Sequence, residues 1–280
     1  MRTAFLLLAV LVCAGGVTLA VAKARWRLGT AAAVARLNAA APHTGPDTFD
    51  PAMLDSLPAP VARYLRAVLR DGAPLARRVV IRHAGEFRAD TAGGAWAPFR
   101  SVQHFTARAP GFVWAAEIRM APLVDACVRD ELVSGSAAMR AKVAALVPVV
   151  DVAGTPGLAS GALHRWLAEA AWFPTALLPS PFLEWVAVDD STAIAVASAE
   201  GTTVSLTFRF GPDSLVRFAE TAERARDVGG VPVPTPWRAT HSAWQWRGGV
   251  RVPTHGEVEW ALPSGPFAYW RGAIVDATSD

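Results

Sequence analysis

The hydrophobic positions of the chain change their spacing several times, and each spacing predicts a different element. Residues 5–22 form an apolar run without a charged side chain. From Arg77 onward, apolar and polar residues alternate with a period of two in most segments, as they do in strands. Residues 158–181 contain the clearest helical spacing outside the N-terminus, with Leu163 and Leu167 one turn apart. The pattern predicts a strand-rich domain with one central helix.

Strand-like segments occur on both sides of this helix. The most regular one is 203–210, in which Val204, Leu206 and Phe208 alternate with polar residues. The predicted strands are 77–88, 99–108, 112–120, 123–129, 185–188, 193–197, 203–210, 215–220, 237–246, 256–262 and 267–275, and 149–152 looks extended. Residues 136–147 are ambiguous between helix and strand, and 222–236 is predicted to be a polar loop. We expect about ten or eleven strands and two or three helices, hence a mostly antiparallel α+β domain.

The central helix carries the first candidate pair of charges. Thr155 or Ser160 can cap its start, and Pro174 ends it. Arg165 and Glu169 are one turn apart. Such a pair is usually solvated and contributes a few tenths of a kcal/mol, but the aromatic and apolar residues that follow indicate a shielded position. We therefore predict that the pair is buried and orients the helix against the sheet.

The apolar run 5–22 has two interpretations. At about 1.5 Å per residue it is close to the minimum length for crossing a bilayer. Ala20-Val21-Ala22 fits a signal-peptide cleavage site. The positive charges that follow at Lys23, Arg25 and Arg27 oppose cleavage and leave the membrane orientation open. We favour an uncleaved single-pass anchor, which places the protein at the cell membrane with its domain on the extracytoplasmic side.

These patterns divide the chain into three parts. Residues 1–28 are the membrane anchor or signal segment. Residues 29–56, rich in Ala, Pro and Thr, are a linker whose first part can prolong the anchor helix. Residues 57–280 form the antiparallel domain, which opens with a short helix from about Leu57 to Arg70.

Composition excludes several classes of function. The 280 residues are 52% hydrophobic with 11 Trp, and the net charge is +3 with a pI near 9.3. The arginines are scattered among acidic residues rather than clustered, so we expect no nucleic-acid partner. Cys13 lies in the apolar run and Cys127 is isolated, so neither a disulfide nor a zinc site is expected.

No catalytic motif supports an enzyme. The sequence lacks G-x-S-x-G, S-x-x-K, the phosphate-binding G-x-x-x-x-G-K-[ST] loop and G-x-G-x-x-G. His241 and His255 could bind a metal together with Glu257 if adjacent strands brought them together, but paired histidines on strands are more often surface residues. Asp189 and Asp190 fit a solvated turn. We expect neither a cofactor nor a metal, and no catalytic residue is assigned.

Several stretches resemble an uncharacterised bacterial family of membrane-anchored proteins. The most specific is Arg165-Trp166-Leu167-Ala168-Glu169 followed by Trp172-Phe173-Pro174-Thr175-Ala176-Leu177-Leu178. Weaker matches are Leu57-Pro58-Ala59-Pro60-Val61, Gly111-Phe112-Val113-Trp114, Val147-Pro148-Val149-Val150-Asp151, Val233-Pro234-Thr235-Pro236-Trp237 and Tyr269-Trp270-Arg271. The layout is also similar to the half-barrel of periplasmic and mycobacterial lipoprotein carriers, although no lipidation cysteine is present. This resemblance implies a curved half-barrel sheet covered by a few helices, and it carries function by analogy alone.

The tryptophans suggest where a ligand would bind. They are spread over the central helix and the strands, where they either pack the core or line an apolar cavity between sheet and helix. The candidate ligand-binding residues are Arg165, Glu169, Trp172, Trp114, Trp237 and Trp260. The leading hypothesis is a membrane-tethered, non-enzymatic module that binds a membrane lipid or another hydrophobic small molecule. The alternatives are a ligand-free envelope scaffold and an enzyme whose site is assembled from dispersed His, Asp and Glu residues.

Overall fold

The structure is a computed structural model that describes residues 2–41, 45–89 and 94–280. Within the first helix, the side chains of residues 4, 7–9, 11 and 12 are outside the described set. Among the helices of the described part, none combines the length and the apolarity needed to cross a membrane. Part of the predicted anchor, residues 5–22, thus lies outside the described side chains, and the anchor stays a prediction.

The described chain forms three α-helices, three 3₁₀ turns and thirteen strands. The helices are α1 (Arg2–Ala40), α2 (Ala59–Val68) and α3 (Pro156–Glu169), and the 3₁₀ turns span Pro51–Leu54, Ala170–Trp172 and Pro174–Leu177. The strands are β1 (Arg78–Phe87), β2 (Ala97–Thr106), β3 (Gly111–Ala121), β4 (Val124–Val133), β5 (Ser136–Val143), β6 (Val147–Ala153), β7 (Leu183–Asp189), β8 (Thr192–Ala199), β9 (Thr202–Phe210), β10 (Val216–Val228), β11 (Val231–Arg247), β12 (Val250–Leu262) and β13 (Gly265–Ser279).

All of these strands belong to one antiparallel sheet, in the order β6-β5-β4-β3-β2-β1-β13-β12-β11-β10-β9-β8-β7. Two meanders, β1–β6 and β7–β13, are joined where β1 pairs with β13. The edge strands are therefore β6 and β7, and the connection between them, which contains α3, has to cross the whole sheet. Because α3 contacts strands of both meanders, the sheet curves around it. The predicted α+β half-barrel is confirmed.

The prediction of a polar loop at 222–236 is wrong. This segment is a long hairpin formed by the end of β10 and the start of β11, and it turns at Gly229 and Gly230, which both have positive φ. Its three prolines are tolerated because β11 pairs with β12 only from Trp237 onward, so residues 231–236 have a free edge on that side. The ambiguous range 136–147 is strand β5 and the turn after it.

The predicted ends of the central helix are confirmed in part. Thr155 caps α3, because its hydroxyl accepts a hydrogen bond from the backbone N–H of Leu158 at 3.3 Å. The helix ends at Glu169, earlier than predicted, and Pro174 begins the last 3₁₀ turn. The range 29–56 was predicted to be a linker. Among its described residues, α1 continues to Ala40, and Leu54 is buried.

The β7–β9 end of the sheet is closed by the helices. Tyr64 of α2 packs against Phe210 with ring centroids 5.6 Å apart, and Trp185 packs against Phe208 at 5.1 Å. Alanines of β8, among them Ala195, are fully buried beneath α3. The space between sheet and helix is filled on this side, which leaves the opposite side, in front of the central strands, for a cavity.

Candidate ligand-binding cavity

A cavity of about 610 Å³ lies between the concave face of the sheet and the C-terminal end of α3. Its walls come from β1–β6, from β10–β13 and from α3 with the turn after it. All six residues predicted to bind a ligand line this cavity: Arg165, Glu169, Trp172, Trp114, Trp237 and Trp260. Although they are scattered over 147 positions of sequence from Trp114 to Trp260, the fold brings them to one site.

Arg165 and Glu169 form the predicted ion pair. Arg165 Nε lies 2.9 Å from Glu169 Oε1, and the two side chains are 16% and 13% exposed. A second carboxylate, Asp130 of β4, accepts from Arg165 Nη1 at 2.8 Å. Gln103 of β2 donates to Glu169 Oε2 at 2.7 Å and accepts from Arg165 Nη2 at 3.3 Å. Arg165 is therefore compensated by two carboxylates and one amide, and this polar cluster ties α3 to β2 and β4.

The pKa values in this cluster reflect the competition between burial and pairing. Burial raises the pKa of Glu169, and this effect outweighs the opposing influence of Arg165 and Gln103. Burial would lower the pKa of Arg165, but Glu169 and Asp130 outweigh it, so its pKa is raised. The rings of Phe112 and Trp114 lie 5.0 Å and 4.9 Å from the guanidinium carbon of Arg165 and shield the cluster from water.

A second arginine, Arg224 of β10, is held by aromatic residues. Its guanidinium carbon lies 4.6 Å from the ring centroid of Trp237 and 5.1 Å from that of Trp260. Arg224 donates to the hydroxyl of Tyr269 at 3.1 Å, and Trp237 Nε1 donates to the same hydroxyl at 2.9 Å. Arg226, two residues further along β10, also lines the cavity. Among the described residues, neither arginine forms an ion pair with a carboxylate.

The floor of the cavity is a cluster of aromatic rings. Trp172 lies 4.7 Å from the ring of His83 and 5.9 Å from that of Trp270. Burial, with the nearby charge of Arg165, lowers the pKa of His83 to about 3, so this imidazole is neutral. The indole nitrogens of Trp114, Trp172 and Trp270 have no hydrogen-bond acceptor among the described residues. The floor is thus apolar in character although several of its rings carry polar atoms.

The structure separates the three residues considered for a metal. His241 pairs with Gly256 across β11 and β12, whereas His255 and Glu257, the neighbours of Gly256, face the other side of the sheet. Burial lowers the pKa of His241 to about 4. Within the described part of the chain, no group of three or more His, Cys, Asp or Glu could hold a metal ion. Asp189 and Asp190 lie at the β7–β8 turn, as predicted.

Sequence reasoning missed several residues of the cavity: Gln103, Asp130, Arg224 and Tyr269. Gln103 and Asp130 face α3 from strands more than 30 positions away in sequence, and no spacing rule connects them to Arg165. Arg224 lay in the segment predicted to be a loop. Only the position of Gln103, on the apolar face of its strand between Ser101 and Phe105, could have indicated that it points inward.

Comparison with known proteins gives a family and distant structural neighbours. A LolA superfamily protein from Nitrosomonas europaea is 13% identical, with a TM-score of 0.41 over 80% of this chain and 94% of that one. A domain provisionally assigned to outer membrane lipoprotein sorting, from Vibrio parahaemolyticus, is 8% identical, with a TM-score of 0.40 over 72% and 85%. The beta-barrel-like DUF1849 protein from Brucella abortus is 10% identical, with a TM-score of 0.27 over 74% and 99%.

No curated protein matches the sequence significantly. The model of one family does match, and it spans residues 47–272, which is most of the chain and contains every cavity residue named above. The protein therefore belongs to the family of unknown function DUF6544.

Proposed function

We propose that the protein is a membrane-tethered, non-enzymatic module that binds an apolar, lipid-like ligand in the cavity beneath α3. The observation that carries this proposal is the cavity itself. Its volume of about 610 Å³ falls within the range of about 300–1,000 Å³ typical of sites for small organic ligands. Its lining is mainly aliphatic and aromatic with a minority of polar and charged side chains, as expected of a site that accommodates hydrocarbon next to a polar group.

The polar end of the ligand is assigned to Arg224 and Arg226. Arg165 is among the predicted ligand-binding residues, but Asp130, Glu169 and Gln103 already satisfy its guanidinium. Arg224 and Arg226 line the same cavity without a carboxylate partner among the described residues. A guanidinium without a carboxylate partner beside an apolar cavity favours an anionic group, because charge-assisted hydrogen bonds are stronger than neutral ones. The ligand class is therefore an anionic amphiphile, such as a fatty acid or a lysophospholipid.

The tether is the apolar run 5–22, on a helix that continues into the domain. The short basic start before this run resembles that of a secretory signal, which supports an extracytoplasmic location for the domain. Membrane fractionation and N-terminal sequencing test the tether: we expect a membrane-bound chain that begins at Met1 or Arg2. A chain that begins at Lys23 would contradict it.

Glu169 supports a second candidate function. Its raised pKa and its place in a cavity wall are features of a general acid. However, Arg165 donates to one of its carboxylate oxygens and Gln103 to the other, so neither oxygen is directed at a substrate. We therefore favour the binding function over an enzymatic one.

The binding proposal is tested by filling the cavity. Ala126 and Ala239 line it from opposite meanders, and each can be replaced in a separate variant, Ala126→Phe or Ala239→Phe. Ala222, exposed on β10, provides the control Ala222→Phe. We expect the apolar fluorescent probe N-phenyl-1-naphthylamine to bind the wild type and the control, and to lose most of its affinity for both cavity variants. Equal probe binding by all four proteins would contradict the proposal.

The headgroup assignment is tested by competition against the same probe. Arg226→Gln should weaken displacement by a fatty acid or by lysophosphatidic acid about tenfold, the loss expected for one charge-assisted hydrogen bond. Displacement by an uncharged monoacylglycerol should not change. Arg217→Gln, which alters an exposed arginine of the same strand, is the control. A similar loss for charged and uncharged competitors would show that Arg226 does not recognise the charge.

A further inference from the structure

One end of the half-barrel carries a rim of exposed apolar side chains next to the cavity. The rim consists of Met120, Leu123, Leu146, Val147 and Val149, from the β3–β4 and β5–β6 turns and the strand residues beside them. These side chains are 60%, 97%, 43%, 59% and 58% exposed. Met120 and Val149 also line the cavity, so the rim borders its opening. Exposed apolar clusters next to a binding site mark surfaces that contact a membrane or a partner.

The opposite end of the cavity is closed. Phe105 at the end of β2 and Phe112 at the start of β3 are almost completely buried, as is Trp166 of α3. Phe105 and Phe173 pack with ring centroids 4.5 Å apart, and Trp166 Nε1 donates to the carbonyl of Thr106 at 3.1 Å. The end of the cavity that these side chains leave open is therefore the end bordered by the rim.

Leu123, at the tip of the β3–β4 turn, has an unfavourable backbone conformation. Leu123 has a φ of +64°, a left-handed conformation that bulky side chains rarely adopt. Its side chain is 97% exposed, so no packing within the described chain compensates for this conformation. An exposed leucine in this conformation is consistent with a contact made outside the protein.

The direction of α1 shows which surface the rim faces. α1 packs on the outer face of β4, where Arg36 pairs with Glu131 at 3.2 Å, and Trp26 and Thr30 both contact Arg129. Moving toward the N-terminus of α1 therefore means moving toward the start of β4, where the rim lies. The distance from Glu131 to the start of β4 is about 23 Å at about 3.3 Å per residue. The helix covers it in about fifteen residues at about 1.5 Å each.

Counted from Arg36, α1 passes the rim near residue 21, and counted from the contact of Trp26 with Arg129 it passes the rim near about residue 15. By either count the first part of the apolar run 5–22 extends beyond the rim. The next charged residues, Lys23, Arg25 and Arg27, are exposed and lie on the domain side of the rim, within about 20 Å of it along the helix. Basic residues directly beside an apolar membrane segment are attracted to the anionic headgroups of a bilayer. The apolar run, the basic residues and the rim are thus arranged in the order that a membrane surface requires.

We propose that the rim docks on the surface of the lipid bilayer that holds the N-terminal helix, with the cavity opening directed at the lipids. This inference rests on the proposed tether. In this arrangement the ligand passes between bilayer and cavity without crossing water. Leu123 and Val147 enter the interfacial layer, and the closed end of the half-barrel points away from the membrane.

The test places an environment-sensitive label at each end of the domain. The full chain first loses its own cysteines by Cys13→Ala and Cys127→Ala. A single cysteine is then introduced at the rim, by Leu123→Cys or Val147→Cys. The control is Ser136→Cys, because Ser136 is exposed at the opposite end of β5. Each cysteine is labelled with a nitrobenzoxadiazole dye, and the protein is reconstituted in vesicles that contain phosphatidylglycerol. We expect a blue-shifted emission that doxyl lipids quench for the two rim labels, and no quenching for the Ser136→Cys label.

Rim labels that are as water-exposed as the control label would overturn the docking proposal. Native mass spectrometry of the same reconstituted samples reports bound lipid independently. A bound lipid together with unquenched rim labels contradicts the docking alone. Quenched rim labels without any bound lipid support the docking and contradict the proposed ligand-binding function instead.

Discussion

At the scale of single residues, the cluster around Arg165 determines how α3 sits on the sheet. One guanidinium connects Asp130 of β4, Gln103 of β2 and Glu169 of the helix itself. Burying an ion pair seldom adds net stability, but removing one partner leaves an uncompensated charge. The cluster therefore fixes the orientation of α3, the helix that covers the cavity.

The first prediction concerns the coupling between Arg165 and Glu169. Because both side chains are largely buried, Arg165→Met and Glu169→Gln should each lower the free energy of unfolding by about 3–5 kcal/mol. The double variant should lose less than the sum of the two, since the residues interact directly. Urea denaturation measures all four proteins. Additive losses, or single losses below about 1 kcal/mol, would show that the pair does not matter for stability.

The second prediction concerns pH and His241. Burial lowers the pKa of His241 to about 4, whereas an unfolded histidine titrates near about 6.5. The folded state requires the neutral ring, so this stability is complete above pH 6.5 and is lost as the pH falls toward 4, by up to about 3 kcal/mol. His241→Phe should flatten this part of the stability profile. His255→Phe, at an exposed position, should leave the profile unchanged.

Part of the dependence of stability on pH should remain in His241→Phe, because other buried histidines also titrate. Burial lowers the pKa of His83 to about 3 and that of His164 to about 4, so both add losses in the same pH range. Denaturation midpoints at pH 4, 5, 6 and 7 measure the difference between the variants. A profile for His241→Phe that parallels the wild type would contradict a neutral, buried His241.

At the residue scale, the sequence correctly predicted a contact between residues that are close together along the chain. The i, i+4 spacing of Arg165 and Glu169, with aromatic residues following, correctly indicated a shielded pair. Asp130 and Gln103 were not predicted, because their contact with Arg165 depends on how the sheet curves around the helix. The role of the six candidate residues in binding remains a prediction, although the fold brings all of them to one cavity.

At the scale of elements, the burial of one sheet face explains which strands the sequence predicted, and a free strand edge explains why the β10–β11 hairpin was not predicted. Alternation located strands on both sides of α3, since one face of the sheet is buried and the other is not. The β10–β11 hairpin was missed because Pro and Gly usually interrupt strands. Here the prolines occupy a free strand edge and the glycines form the turn, so neither disrupts the pairing.

The third prediction concerns the start of α3. Thr155 accepts a hydrogen bond from the backbone N–H of Leu158, one of the unpaired donors of the first turn. Thr155→Ala should lower the free energy of unfolding by about 1 kcal/mol, and Thr155→Ser should restore most of the loss. Thermal or urea denaturation gives the values. A Thr155→Ala variant as stable as the wild type would show that the cap contributes nothing.

At the scale of the whole molecule, the connection between the two edge strands creates the cavity. β6 and β7 lie at opposite edges of one sheet, so the chain between them crosses the concave face and places α3 there. α3 and α2 fill the β7–β9 side, and the space left in front of the central strands is lined by residues of both meanders. The sequence indicated antiparallel strands and a central helix, but the β1–β13 pairing that joins the meanders links the two ends of the domain and has no local signal.

The central claim is that this cavity holds a lipid-like ligand, and native mass spectrometry of the full chain extracted from membranes tests it most directly. The wild type and the control Ala222→Phe should carry one lipid per chain, whose released mass identifies an anionic amphiphile. Ala126→Phe and Ala239→Phe should carry none, because their new rings occupy the space of the ligand. A wild-type protein without bound lipid, or cavity variants that retain it fully, would contradict the claim.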